Sequence, residues 1–572
     1  MIALALPLLP FAAAIAVVCA RARPNLLMPI AVGALGATLA LGAWVAADEP
    51  SFDWQWSPAI EASVRVDGFS RVMVILIPLI AAPIVAYAAV TEEEGRTRLL
   101  AIMLAFVSAM LLLVEAADFL TLLIAWELIG ATSWLLIAHQ WEVGENVQSA
   151  THAFITTRTG DLGLYLAAGL LFAERGSFGF DALAGVDGVA LDAIAAAVLL
   201  AAAAKSAQLP FSPWLFSAMA GPTPVSALLH SATLVAAGAY LLIRISPALE
   251  AVDWFLPAVA AVGLATALGG GIVATMQTHV KRVLAGSTSA QYGLMFIAIG
   301  ASSTAAAGAH LVAHAAFKSL LFLGAGVAIH AAGSTEMAAM RLGRAIPVVA
   351  ALSLVGVVAL AAVPPIGGAW TKEQIVAAAA DSSRWLALGT LGAGFFSALY
   401  AMRYHLLVWG AMSPEDSAEG TRGGMRRLRQ APGSIEVGGI ALLAAVTLLL
   451  SALWLPGGRD VVEDAAGGEQ EGAGRADGGG FRGGGDPEQD DGQHGDGQDA
   501  QRQHELEHFS RLAFDFDQNG ADHRQAAFQP TVLAGAAQPA KPRFCATLLA
   551  CSPFFCRARC CATVQVRLSM KG

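Results

Sequence analysis

Before residue 456 the chain contains four lysines: Lys205, Lys281, Lys318 and Lys372. Three of them sit within or at the end of apolar runs. Lys205 closes "VLLAAAAK", Lys318 interrupts "HAAFKSLLFLGAG", and Lys372 follows "VPPIGGAWT". An ionised side chain at such depth in hydrocarbon costs at least a few kcal/mol and as a rule marks an ion pathway. Lysine suits that position better than arginine, because a desolvated amine can give up its proton whereas a guanidinium cannot. The chemistry implied is acceptance and release of protons. Lys281 adjoins Arg282 and reads as a loop charge that sets membrane orientation.

Acidic and imidazole groups extend the series. In "FLTLLIAWELIGATSWLLIA", residues 119–138, Glu127 is the single ionisable group across a full span, so it must be neutral, paired or facing a hydrated cavity. Arg158 and Asp161, in "TTRTGDLG", have the i, i+3 spacing of a same-face pair. Glu115 and Asp118 fall at a helix end and read as interfacial. His310, His314 and Lys318 follow i, i+4, i+8, which places them on one helix face spanning about 12 Å. His230, in "PTPVSALLHSATLV", is set similarly inside an apolar helix. Histidine titrates near neutrality, so such a stripe can carry a proton stepwise. The rival reading makes these buried charges interhelical glue and the chain a structural scaffold.

The elements that must position these groups are transmembrane helices. Hydrophobic residues form 56% of the chain and Asp, Glu, Lys and Arg only 14%, too little charge for a soluble domain. Runs of spanning length can be read near 2–20, 25–47, 70–90, 98–114, 119–138, 150–173, 189–209, 223–243, 254–276, 283–301, 306–331, 345–363, 385–410 and 435–455. The expected fold is therefore an all-α polytopic membrane protein of about fourteen transmembrane helices. Arginines concentrate in alternate loops, among them Arg21, Arg23, Arg96, Arg98, Arg282, Arg422, Arg426 and Arg427, which places the N-terminus outside. Lys205 precedes "QLPFSPW" and Lys372 follows "VPPIGGAW", so each adjoins a helix interrupted by proline. Matching breaks in two halves point to an ion site, and their separation of roughly 170 residues suggests a repeat of about five helices. Residues 1–455 form the membrane domain, with the core repeats over about 98–410. Residues 456–572 are low in complexity and read as a disordered tail. Five of the six cysteines, Cys545, Cys551, Cys556, Cys560 and Cys561, lie there in no spacing that matches a metal framework.

The segments "AWELIGATSWLLI", "TRTGDLG", "KSAQLPFSPWLFSAMAGPTPVSALLHSATLVAAGAYL", "HVKRVLAGSTSAQYGLMF", "HLVAHAAFKSLLFLGAG" and "PPIGGAWTKEQI" resemble the antiporter-like subunits of respiratory complex I. The closest likeness is to the NADH-quinone oxidoreductase subunit L (NADH dehydrogenase subunit 5) family, which is related to Mrp-type antiporter subunits. It covers roughly residues 60–410. The resemblance implies two inverted five-helix repeats, each with half of a proton channel and a broken helix carrying a central lysine. By position, Glu127 and Lys205 match the family's Glu–Lys pair, His230 its connecting histidine, and Arg158 and Asp161 the charged pair near the cytoplasmic mouth. His310, His314 and Lys318 match the central axis, and Lys372 the terminal lysine. The family's long lateral helix and last anchor have no counterpart in the sequence after residue 456.

The expected function is a proton-translocating membrane subunit of NADH-quinone oxidoreductase, driven by quinone reduction in a neighbouring subunit. The chain itself carries no redox centre, since the membrane part has no cysteine cluster for iron and sulfur and no G-x-G-x-x-G between strand and helix. NADH, FMN, iron-sulfur clusters and quinone belong to partner subunits, and no cofactor or metal is expected here. The partners are other membrane subunits, protons and the lipid bilayer, with no nucleic acid, in a bacterial plasma (inner) membrane. The alternative reading is a subunit of a multisubunit cation/proton antiporter, or of an inorganic-carbon uptake complex, without redox drive.

Overall fold

The structure, a computed structural model, describes residues 2–57, 60–410 and 428–452. The tail over 456–572, with its five cysteines, and the loop arginines Arg422, Arg426 and Arg427 lie outside the described residues.

An N-terminal pair, α1 (Ile2–Cys19) and α2 (Pro24–Asp48), leads to a hairpin of β1 (Ser51–Ser57) and β2 (Ile60–Arg65), which run antiparallel with Trp54 opposite Ala62. There follow α3 (Gly68–Thr91), α4 (Arg96–Glu115), α5 (Phe119–Ile137) and the long α6 (Gly144–Arg175). The next helices are α7 (Gly188–Lys205), the short α8 (Pro213–Ser217), α9 (Thr223–Ser231) and α10 (Ala236–Ile245). The second half comprises α11 (Phe255–Met276), α12 (Val280–Gly300), α13 (Thr304–Ala332), α14 (Pro347–Leu360), α15 (Gly367–Ser382), α16 (Arg384–Val408) and α17 (Ser434–Ala452).

Among the described residues, twelve helical stretches are long and apolar enough to cross a bilayer, and the chain is an integral membrane protein. That is two short of the expected fourteen. α6 falls out because Arg158 and Asp161 interrupt its apolar run, and α14 because it has only 14 residues. The stretch read as one span over 223–243 is two helices, α9 and α10, parted at residues 232–235. Neither the hairpin nor α15, the helix that carries Lys372, was expected. α12 and α13 are buried on nearly every side, whereas α1, α2, α11, α16 and α17 present apolar side chains such as Leu8, Trp44, Phe395 and Leu449 outward, as a lipid-facing surface requires.

Three interruptions decide where polar groups go. After α7 the chain turns through Ala207, whose φ of 51° is left-handed, before α8 begins at Pro213. After α14 it turns in the same way through Ala362, with φ of 61°. The third interruption separates α9 from α10. A helix that stops at membrane depth leaves carbonyls with no intrahelical donor, and no bulk water reaches them. Here side chains take that place. Trp214 Nε1 donates to the Ala204 carbonyl at 2.9 Å and Ser289 Oγ to that of Ala207 at 2.7 Å. Tyr292 OH donates to Ser231 O at 3.2 Å, and Ser397 Oγ to Leu360 O at 2.7 Å.

Small residues set the helix spacing around these breaks. A methyl group at Gly160 would lie 2.2 Å from the Ala204 Cβ, and one at Gly163 would lie 2.4 Å from the Ala197 carbonyl oxygen. α6 therefore rests on α7 at backbone contact, with Asp161 beside the closest point. On α12 the glycines repeat every seven residues. Added methyls at Gly286, Gly293 and Gly300 would strike the α11 backbone at Ala274, at Gly263 with Ala267, and at Ala260. That close face leaves the other side of α12, with Ser287 and Gln291, turned to α13 and α16.

The Gly293 contact gives a direct test of this spacing. Gly293→Ala places its Cβ 2.6 Å from the Ala267 nitrogen and should destabilise the detergent-solubilised chain by about 1–3 kcal/mol, read as a lower unfolding midpoint. Gly169→Ala, which meets nothing within 4 Å in α6, should leave the midpoint unchanged or raise it slightly.

Candidate functional site

The caps of α5 and the close packing of α6 on α7 build the first cluster. Asp118 starts α5, accepting from the Thr121 amide at 2.7 Å, the Thr121 hydroxyl at 2.6 Å and the Ser63 amide at 2.6 Å. This fixes the phase of the helix, so that Trp126 points inward and Glu127 outward toward α6. Trp126 Nε1 donates to Asp161 Oδ1 at 2.6 Å, and Lys205 Nζ lies 3.3 Å from the same oxygen. The ammonium also sits 5.0 Å from the centre of the Trp126 ring, a cation–π contact. Lys205 is fully buried and the Asp161 side chain is 4% exposed.

The pairing expected from the sequence is thereby exchanged. Glu127 does not pair with Lys205. Its carboxylate pairs with Arg158 on a half-exposed face, and Tyr165 OH donates to its Oε1 at 3.0 Å. Arg158 and Asp161, although one helical turn apart, turn to different neighbours: the arginine to α5 and the aspartate to α7. The glycines on either side of Asp161 explain the choice, because only they bring α6 close enough for a short carboxylate to reach Lys205.

A line of buried groups continues from the end of α7. Trp214, bonded to Ala204 O, lies with its ring centre 6.2 Å from that of His230, and Phe322 flanks the same imidazole at 6.0 Å. Neither His230 nitrogen has a hydrogen-bond partner among the described residues. His314 Nδ1 is 3.2 Å from Ser231 O, at the α9 break, and its ring is 6.4 Å from that of His310. Lys318 Nζ donates to Ser287 Oγ at 2.6 Å. His310 touches Gln291 Oε1 through Nε2 at 3.0 Å and Thr371 Oγ1 through Nδ1 at 2.8 Å. Lys372 Nζ donates to Leu360 O at 2.6 Å and to Ser397 Oγ at 2.8 Å. His230, His310, His314 and Lys318 are fully buried and Lys372 nearly so.

Two groups read as peripheral are not. Lys281 lies in the first turn of α12, buried, with its ammonium on the Gly221 carbonyl at 2.7 Å. It plugs the loop before α9 and is no free loop charge. Just outside α3, burial holds the Glu92 carboxyl above its ordinary range, and the Lys281 charge opposes that shift. Glu115, read as interfacial, is fully buried at the end of α4, with neither oxygen hydrogen-bonded among the described residues. The sequence reading missed Trp126, Ser287, Gln291, Thr371, Ser397 and Tyr400. The run "GSTSAQ" over 286–291 carried a signal, since four polar side chains within one buried span need partners.

Residues 116–397, which run from before Glu127 to beyond Lys372, match the family described as NADH:quinone oxidoreductase/Mrp antiporter. NADH-quinone oxidoreductase subunit L of Escherichia coli is 35% identical over 417 residues, 68% of this chain and 68% of that protein. Subunit L of Campylobacter jejuni is 35% identical over 366 residues, and the match spans 61% of its length. Subunit L of Mycobacterium tuberculosis is 37% identical over 374 residues, 62% of this chain and 59% of that protein. Among solved structures, a chain of the Mrp complex from a Dietzia species superposes with a TM-score of 0.67 at 24% identity over 91% of this chain and 61% of that one. A chain of an archaeal membrane-bound sulfane sulfur reductase superposes with a TM-score of 0.72 at 20% identity over 82% of this chain and 97% of that one. At those identities the two structures speak for the fold alone.

A double-mutant cycle distinguishes the observed pairing from the expected one. Asp161→Asn leaves a buried ammonium without its counter-charge and should cost about 3–5 kcal/mol, most of it recovered in Asp161→Asn/Lys205→Met. The coupling of Glu127→Gln with Lys205→Met should stay within about 0.5 kcal/mol in unfolding midpoints of the solubilised chain, as for groups that do not touch.

Proposed function

The chain belongs to the NADH-quinone oxidoreductase subunit L family, and from that premise we propose that it is a proton-translocating membrane subunit of an NADH:quinone oxidoreductase in a bacterial plasma membrane. The observation that carries this reading is the buried line from Lys205 through His230, His314 and His310 to Lys372, laid along three helix breaks in an otherwise apolar interior. A structural scaffold would pair such groups with one another. Instead Lys318 and Lys372 rest on neutral oxygens, and both His230 nitrogens are without a hydrogen-bond partner among the described residues.

The chemistry of each group follows from its neighbours. Lys205 carries a proton against Asp161, and Trp126 anchors that carboxylate so that it cannot follow the ammonium away. Arg158 and Glu127 form the outer charged pair beside this site, at its mouth. His230 bridges toward α13, where His314, His310 and Lys318 share a face and exchange a proton as imidazole and amine. Lys372 is the terminal group. Its ammonium is held by the Leu360 carbonyl and the Ser397 hydroxyl, neither of which can neutralise it, so the charge is readily displaced. Electron transfer belongs to partner subunits, with NADH, FMN, iron-sulfur clusters and quinone bound there, and this chain supplies the path that their reaction drives.

Energies set the scale. Moving one charge against 100 mV requires about 2.3 kcal/mol, and one unit of pKa corresponds to about 1.4 kcal/mol. A change of about two units between the loaded and released states of a lysine is therefore enough. A guanidinium cannot make that change.

In inverted membrane vesicles, Lys205→Ala should lower driven pumping by at least about tenfold at unchanged membrane content, because the proton acceptor is gone. Lys372→Arg should retain assembly yet fail to release protons, whereas Lys372→Glu, still titratable, should keep part of the rate. Wild-type pumping by Lys372→Arg would show that a fixed charge suffices and would remove titration from the mechanism at that position.

A further inference from the structure

Between His310 and Lys372 lies one side chain that no proton can cross. Gln291, fully buried in α12, sets its carboxamide oxygen 3.0 Å from His310 Nε2. Its amide nitrogen donates to Tyr400 OH at 2.8 Å and to Ser397 Oγ at 3.2 Å. We propose that Gln291 is a positioning residue and a gate: it fixes the proton of His310 on Nε2 and keeps that proton from Lys372 until the amide swings away. The proposal rests on the reading of this line as a proton path.

The donor and acceptor roles are dictated by the groups. A carboxamide oxygen only accepts, so the His310 nitrogen facing it carries hydrogen. The other nitrogen, Nδ1, then accepts from the Thr371 hydroxyl at 2.8 Å, a better partner for that hydroxyl than the Gly368 carbonyl at 3.5 Å. Beyond the amide, Ser397 receives hydrogen bonds from Gln291 and from Lys372 and gives its own hydrogen to Leu360 O. Donors thus converge on Ser397 from both sides. An amide has no proton to yield and no basic nitrogen near neutrality, and the serine beyond it already points elsewhere, so the connection is complete as hydrogen bonds and broken as a wire.

Transfer requires the carboxamide to leave the gap. The imidazolium of His310 then gives one proton to the neutral amine of Lys372. His310 returns to the neutral ring and Lys372 becomes ammonium, with one N–H bond broken and one formed. Because the proton leaves from Nε2, the neutral ring keeps hydrogen on Nδ1 and donates it to Thr371 Oγ1, while the Thr371 hydroxyl turns to Gly368 O until Nε2 is protonated again. When Gln291 returns, the new ammonium is held by Leu360 O and Ser397 and shut off from the ring it came from. While the amide is in place the proton cannot return to the ring, a return that an open water-filled gap would allow.

The test uses the full chain with its native partner subunits in inverted membrane vesicles, compared at equal membrane content. Q291A opens the gap and should raise passive proton conductance, measured after an acid pulse without substrate, by about tenfold, the equivalent of a barrier lowered by about 1.4 kcal/mol. Q291L fills the same volume without hydrogen bonds and should leave the passive conductance at the wild-type level. In ¹⁵N-histidine spectra of the full-length chain in membranes, wild-type His310 should be the Nε2–H tautomer, and Q291L should shift it toward Nδ1–H, a change that a purely structural role would not produce. Wild-type conductance and pumping in Q291A, or an Nδ1–H ring in the wild type, would overturn the proposal. If Q291A does not assemble, the tautomer comparison with Q291L decides. Lys372→Ala separates the two levels: pumping at the wild-type rate sinks the proton-path reading itself, while loss of pumping beside a normal Q291A sinks only the gate.

Discussion

A carbonyl released from a helix at membrane depth must find its hydrogen bond within the protein, and the interior of this chain is organised around that requirement. Each of three interruptions frees such groups, and each is met by side chains from other helices: Trp214 and Ser289 after α7, Tyr292 and His314 between α9 and α10, Lys372 and Ser397 after α14. The polar residues are therefore not scattered through an apolar bundle. They lie where the backbone has already created polarity, which lowers the cost of burying them and ties their positions to the fold.

The two halves solve the problem of a buried lysine differently. In the first, Lys205 is neutralised by a carboxylate and covered by an indole face, and glycine contacts bring the carboxylate within reach. In the second, Lys318 and Lys372 have no carboxylate among the described residues, only hydroxyls and a carbonyl. A pair is electrically quiet at a distance, whereas a lysine on neutral ligands is not. The first site is neutral as a pair, and the second leaves its charge without a counter-charge among the described residues.

Much of this was legible in the sequence, and the rest was hidden for definable reasons. The rarity of lysine before residue 456 and the i, i+4, i+8 stripe of His310, His314 and Lys318 pointed to groups that are now seen buried and in line. The prolines after Lys205 and before Lys372 marked two breaks. The pairing of Lys205 could not be read, because it depends on the α6–α7 distance set by Gly160 and Gly163 and not on the spacing along either helix. Lys281 looked like a loop charge because it stands beside Arg282, but both lie in the first turn of α12, and its phase buries the first while the second stays exposed. Gln291 was overlooked because an uncharged side chain carries no alarm in a charge-based reading, although its depth in a buried span was itself a signal.

The cap of α5 has a mechanical consequence. Asp118 is held by the amide of Ser63, which belongs to the hairpin strand β2, as well as by the first turn of its own helix. Val64 and Ala116 add a strand-like bridge at the same place. α5 is thus pinned against torsion about its axis by an element outside the bundle. Turning the helix far enough to carry Glu127 from Arg158 round to Lys205 would tear this cap and break the bridge, so any rearrangement of charge between the two pairs must proceed by rotamer changes on stationary helices. The hairpin, which holds none of the buried lysines or histidines, thereby restricts which motions α5 can make.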